Sequence, residues 1–123
     1  MYSVNADIEK SVLTIELSEY VSYSELLKIF GEIIIKRREF SKRHTALIKL
    51  SNITADQFYL EEVDQQVLTG KLINMKNAVI LIGNDENDTR PIAEELLKTY
   101  EKYRIPCVIV TSQDDVDKVI ANY

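Results

Sequence analysis

The run Ala78-Val79-Ile80-Leu81-Ile82 is apolar at every position and stops at Gly83. A strand with one face in water alternates apolar and polar residues, so an unbroken run signals a strand covered on both faces. Downstream, residues 84–88 form a polar loop in which an aspartate is placed to cap the next helix. Pro91 suits the first turn of that helix, where its missing N–H is harmless. Ile92, Leu96, Tyr100 and Tyr103 make one apolar stripe, and Pro106 ends the element. Cys107 to Val110 reads as a strand. Ser112 with Asp115 then caps a short last helix carrying Val116, Val119 and Ile120.

Upstream the same alternation continues. Thr54 with Gln57 matches a capping box, in which each side chain covers a backbone N–H at a helix start. It opens a helix from Ala55 with apolar positions Phe58, Tyr59, Leu60, Val63, Val67 and Leu68. Gly70 is placed to close it in a left-handed cap, although the pattern also allows a helix running on to Met75. Thr45 to Leu50 is short, apolar and β-branched at two positions, hence a strand. Ser22 with Glu25 opens the first helix, whose stripe is Leu26, Leu27, Phe30, Ile33 and Ile34 and which ends between Arg38 and Ser41. Gly31 costs that helix about 1 kcal/mol relative to Ala, as expected where a neighbour needs the space. Tyr2, Val4, Ala6 and Ile8 alternate with polar residues, and Val12 to Leu17 repeats the pattern after Glu9-Lys10-Ser11. The pair is a β-hairpin.

The order β-β-α-β-α-β-α-β-α implies an α/β fold. Its last three strands should be parallel with right-handed crossovers, and the hairpin should extend their sheet. No linker or repeat interrupts residues 1–123, which read as a single domain.

Composition narrows the chemistry. Among 123 residues there are one histidine (His44), one cysteine (Cys107) and three scattered glycines. A zinc site built from Cys and His needs three or four such ligands and is excluded. A glycine-rich phosphate cradle is excluded too. Ser-His-Asp or Cys-His catalysis would have to use His44, and no activated nucleophile accompanies it. Neither a metal site nor a cofactor is expected, and the chain reads as a binding domain rather than an enzyme. Cys107 lies in an apolar run and reads as a buried small hydrophobe. No run of eighteen apolar residues, no secretory leader pattern and no cysteine pair are present, which points to the cytoplasm.

In an open α/β sheet, ligands bind beyond the carboxyl ends of the strands. Those ends are Leu50-Ser51-Asn52, the loop from Gly83 to Asp88, and Thr111 to Asp115. Asp85, Glu86 and Asp88 could hold a hard cation, but they lack the glycine turn and register of a calcium loop and read as solvated. Tyr20 and Tyr23 flank the first helix start and read as core residues ahead of an interface.

The net charge of −5 conceals a local contrast. Residues 36–49 hold Lys36, Arg37, Arg38, Lys42, Arg43 and Lys49 against Glu39, a local charge of +5 that leaves −10 for the rest. Cations at a helix C-terminus complement the helix dipole. Lys36, Arg37, Arg38, Lys42 and Arg43 are also the candidates for an anion or membrane patch. Nucleic acid is not expected, because the net charge is negative and only Phe40 interleaves the cluster. His44 flanks the cluster and should titrate near its reference value of about 6.5.

The element order, and Ile48-Lys49-Leu50-Ser51-Asn52-Ile53, resemble the STAS domain superfamily, the fold of anti-sigma factor antagonists, and within it the stand-alone SpoIIAA-like proteins. The resemblance spans nearly the whole chain and rests on pattern more than on motif. Leu50-Ser51 and the following aliphatic match the end of the family's third strand. Lys49 stands where the family has aspartate, and no serine follows Asp56 in the family's phosphoserine region. The phosphorylation switch is therefore not carried over to these positions. The resemblance implies a mixed sheet with helices packed on it and a non-enzymatic regulatory, protein-binding role. The partner surface would include Ser51, Thr54, Phe58 and Tyr59. Read on their own, Ser51 is a turn residue and Thr54 a helix cap. SpoIIAA-like proteins are also similar in topology to CRAL-TRIO lipid-binding domains, which makes binding of a lipid or apolar small molecule at an anionic membrane the alternative. The hairpin leaves a sheet edge open, so a homodimer is a further expectation.

Overall fold

The computed structural model describes residues 2–53, 60–72, 74–84 and 87–122. The chain runs β1 (Tyr2–Asp7), β2 (Val12–Ser18), α1 (Tyr23–Arg37), β3 (His44–Ser51), α2 (Leu60–Leu72), β4 (Met75–Ile82), α3 (Arg90–Lys102), β5 (Cys107–Val110) and α4 (Gln113–Ala121). The expected α/β order is the observed one. The five strands lie side by side in chain order, β1 antiparallel to β2 and all later pairs parallel.

That order decides the layering. Each crossover moves one strand along in the same direction, and right-handed crossovers then place every connecting helix on the same face. Rows of aligned residues cross the covered face, among them Leu13, Ala46, Ala78 and Cys107, then Ile15, Ile48, Ile80 and Ile109, then Leu17, Leu50 and Ile82. Buried residues of α1, α2 and α3 join them in one core, including Ile29, Val63 and Leu96. Among the described residues α4 is the one helix on the opposite face, where Val116 packs on Val12, Leu47 and Val79.

Several local signals act as expected. Ser22 Oγ accepts from the Glu25 N–H at 3.2 Å, and Ser112 Oγ accepts from the Asp115 N–H at 3.2 Å. Both satisfy a donor that the helix itself leaves free. Pro91 sits in the first turn of α3.

Other expectations need correction. The buried stripe of α1 is Leu26, Ile29, Ile33 and Arg37. Leu27 is 50% exposed and Ile8 47% exposed, because the hairpin turns before Ile8 can enter the strand. Tyr20 and Tyr23 are exposed rather than core residues. The helix α2 passes through Gly70 to Leu72, and the left-handed residue before β4 is Asn74 (φ 59°). Asparagine tolerates that conformation better than most residues. The N-cap of α3 is Thr89 rather than an aspartate of the preceding loop, and its hydroxyl does not cap the helix. It donates to the Ile53 carbonyl at 2.8 Å and accepts from the Ile53 N–H at 3.1 Å, pinning the segment after β3 to the start of α3. The capping box expected at Thr54 lies outside the described residues.

The helix α2 is fastened to α3. Tyr103 Oη donates to Asp64 Oδ2 at 2.6 Å, and Lys102 Nζ lies 2.9 Å from Asp64 Oδ1. The Tyr103 hydroxyl, followed by Lys102, holds the Asp64 carboxyl below its ordinary range. The helix α1 leans instead towards the hairpin, where Tyr2 Oη donates to Glu32 Oε1 at 3.1 Å.

Gly31 does not make room for a neighbour. It is exposed in mid-helix, and a Cβ built there meets nothing within 4 Å. Replacing Gly31 with Ala removes backbone entropy from the unfolded chain and adds no clash. Gly31→Ala is expected to raise stability by about 0.5–1 kcal/mol, read as a higher urea midpoint at an unchanged slope.

Candidate functional site

A cleft of about 510 Å³ opens where β2, β3 and β4 end and the segment after β5 enters α4. Tyr2, Ser3, Glu16, Ser18, Lys49 and Ser51 line one side, and Gly83, Thr111, Ser112 and Gln113 the other. The volume lies within the range of small-ligand sites, about 300–1,000 Å³. A second hollow of about 400 Å³ shares Lys49 and Gln113 with it and runs along α4 past Thr14, Leu47 and Asp117. Both exist because α4 covers only part of its face of the sheet.

The strand register explains the chemistry of the cleft. Glu16 aligns with Lys49, and Ser18 with Ser51. In a parallel pair, aligned residues share a face, so Lys49 Nζ lies 3.7 Å from Glu16 Oε1. Both side chains are partly exposed; such a pair contributes little to stability and serves better to set local charge. Ser51 is half-buried, and its carbonyl accepts from the Glu19 N–H at 3.2 Å, joining the ends of β2 and β3. Among the described residues of the cleft, hydroxyls, one amide and one ion pair are the polar groups.

Ser51 thus belongs to the cleft that the strand-end rule anticipates. Thr54, Phe58 and Tyr59, like Asp85 and Glu86 of the acidic loop, lie outside the described residues. Among the described residues no three His, Cys, Asp or Glu side chains gather as metal ligands would, and no helix is long and apolar enough to cross a membrane.

The basic segment separates into three. Lys36 is half-buried and Arg38, Lys42 and Arg43 are exposed, so these four present a cationic surface below α1. Lys49 faces the cleft on the other side of the sheet. Arg37 is only 3% exposed and does not belong to the surface patch. It continues the spacing Leu26, Ile29, Ile33, and that spacing is the sequence signal that its side chain turns inward. Burial lowers its pKa, an effect opposed by the nearby Tyr100 hydroxyl.

His44 does not titrate near its reference value either. It is fully buried and stacks on Phe40, with ring centroids 4.7 Å apart and planes within 8°. Neither ring nitrogen has a hydrogen-bond partner. Burial first, and the Arg37 charge second, push its pKa down to about 4. Cys107 is half-buried, and burial raises its thiol to about 12, far from the reactive range. Tyr100 is buried in the same region, and its hydroxyl pKa is raised by burial.

Comparison with protein-family models, with curated proteins and with solved structures found no match.

The burial of His44 sets a pH dependence. Its folded pKa of about 4 lies below the unfolded value. Its neutral form therefore contributes stability that is complete above about pH 6.5, on the order of 3 kcal/mol. That contribution is lost as pH falls from the unfolded value through the folded one. His44→Phe keeps the stack on Phe40 and removes both unpaired nitrogens. Urea unfolding at pH 7.5 and 4.5 should show a larger loss of stability for the parent chain than for His44→Phe. Equal losses would mean that the buried ring does not control this response.

Proposed function

We propose that this chain is a non-enzymatic regulatory module that binds a protein partner, as the STAS resemblance implies, and that the strand-end cleft around Ser51 is its recognition surface. The observation that supports this reading is the cleft itself. It is broad and open, lined by hydroxyls from neighbouring strand ends, with one exposed ion pair at its floor. Such a surface offers hydrogen bonds to a partner's backbone and side chains. His44 is fully buried and the Cys107 thiol is kept protonated by burial, so neither offers a base or nucleophile at the cleft. In sequence Ser51 leads on to the other candidates, Thr54, Phe58 and Tyr59.

The test is recovery of a partner from the source cell on immobilised protein, repeated with Ser51→Arg and Gln113→Trp. Both substitutions crowd the cleft, and circular dichroism checks that the fold is retained. Recovery of a specific partner should fall at least tenfold with each. Equal recovery with both would overturn the assignment of this surface.

A second reading rests on the half-buried Lys36 and the exposed Arg38, Lys42 and Arg43. Clustered lysine and arginine are attracted to anionic lipid headgroups over a short, salt-screened range. Flotation with phosphatidylserine vesicles at low salt should carry the chain upward, and Lys42→Glu with Arg43→Glu should abolish this. A chain that stays in solution at low salt ends the membrane reading.

A further inference from the structure

The buried guanidinium of Arg37 poses a problem that the cleft does not address. A lone charge in the interior is costly unless an opposite charge and hydrogen bonds compensate it. Arg37 Nη1 donates to the Gln66 carbonyl at 3.4 Å, a long bond to a neutral group. Among the described residues its Nε has no hydrogen-bond partner, and neither has Gln66 Oε1. Among the described residues Arg37 takes part in no ion pair.

Arg37 lines a cavity between α1 and α2. The two helices straddle a groove, because α2 is fastened to α3 and α1 leans on the hairpin. Phe30 and Ile33 form one wall, Val63 and Val67 the other, and Ile15 and Ile48 the floor. Tyr23 and Leu27 extend the apolar surface along the exposed side of α1. The hollow offers about 50 Å³, room for a few non-hydrogen atoms, since one water needs about 10–15 Å³. The walls are apolar and the polar end carries an uncompensated positive charge. A ligand that suits both has a small anionic head and an apolar tail.

We propose that the groove between α1 and α2 binds a free aliphatic monocarboxylate, with its carboxylate accepting from Arg37 Nε and its chain running outward between Phe30 and Val67. A carboxylate matches a guanidinium in charge and geometry. So small a hollow suits a slender head group. The exposed cations at the foot of α1 raise the positive potential and favour the approach of an anion. Among the described residues this site shares only Leu17 with the strand-end cleft, and it does not depend on the function assigned there.

The test uses octanoate, with acetate, octanol and chloride as controls, measured by titration calorimetry on the full chain. Octanoate should bind, and acetate and octanol should each bind at least tenfold more weakly. Chloride at matched concentration should not displace octanoate. Arg37→Met keeps the length of the side chain and removes its charge. It should weaken octanoate at least tenfold and leave octanol unchanged. If Arg37→Met does not fold, the comparison of octanoate with octanol on the parent chain still tests the headgroup. No binding of octanoate, or equal binding of octanol, would each overturn the proposal.

Discussion

The order in which the strands are laid down governs the rest of this molecule. Consecutive parallel strands that advance in one direction, joined by right-handed crossovers, commit α1, α2 and α3 to a single face of the sheet. That face gains a core of aligned aliphatic rows. Among the described residues the other receives only the nine residues of α4. The strand-end cleft and the hollow beside it follow from this imbalance, because one short helix cannot cover five strands. The same imbalance places Glu16, Lys49, Ser18 and Ser51 on a surface rather than in a core.

On the crowded face, the spacing of three helices over one sheet has its own consequence. The Asp64, Lys102 and Tyr103 group draws α2 to α3, while Tyr2 and Glu32 draw α1 towards β1. Between α1 and α2 the floor of the sheet is left with a narrow apolar groove, and Arg37 is the side chain that reaches across it to Gln66. His44 and Tyr100 are buried in the same region, and both pKa values respond to the Arg37 charge. The interior is thus apolar over most of its extent and strongly polar at one end.

The sequence made the elements legible because their signals are local. The period of two in β1 and β2, the capping serines at 22 and 112, Pro91, and the unbroken run at 78–82 each report on a few adjacent residues, and each lies where expected. The misreadings arise where several residues qualify. On α1, Leu27 and Ile29 are equally apolar, and the packing of the helix against the sheet buries Ile29 and leaves Leu27 exposed. Gly70 and Asn74 can both adopt a left-handed turn, and the start of β4 at Met75 selected Asn74. Gly31 suggested a close contact, but its side of the helix faces solvent. Of the candidate site, Ser51 was legible from the strand-end rule. The ion pair of Lys49 with Glu16 was hidden, because it depends on which strands are neighbours and in what register.

By itself the sequence determined the fold class, the number and order of the elements, and the exclusion of zinc-cysteine and phosphate-loop chemistry. Hydrophobic period, capping and composition are properties of the chain alone. Tertiary structure alone decided how the +5 segment is divided: four cations at the surface below α1, Lys49 in the cleft, and Arg37 in the interior beside a neutral His44. Charge can be counted from a sequence. Whether a charge meets water, a carboxylate or an apolar wall depends on segments distant in the chain, and it is that environment which sets its energy.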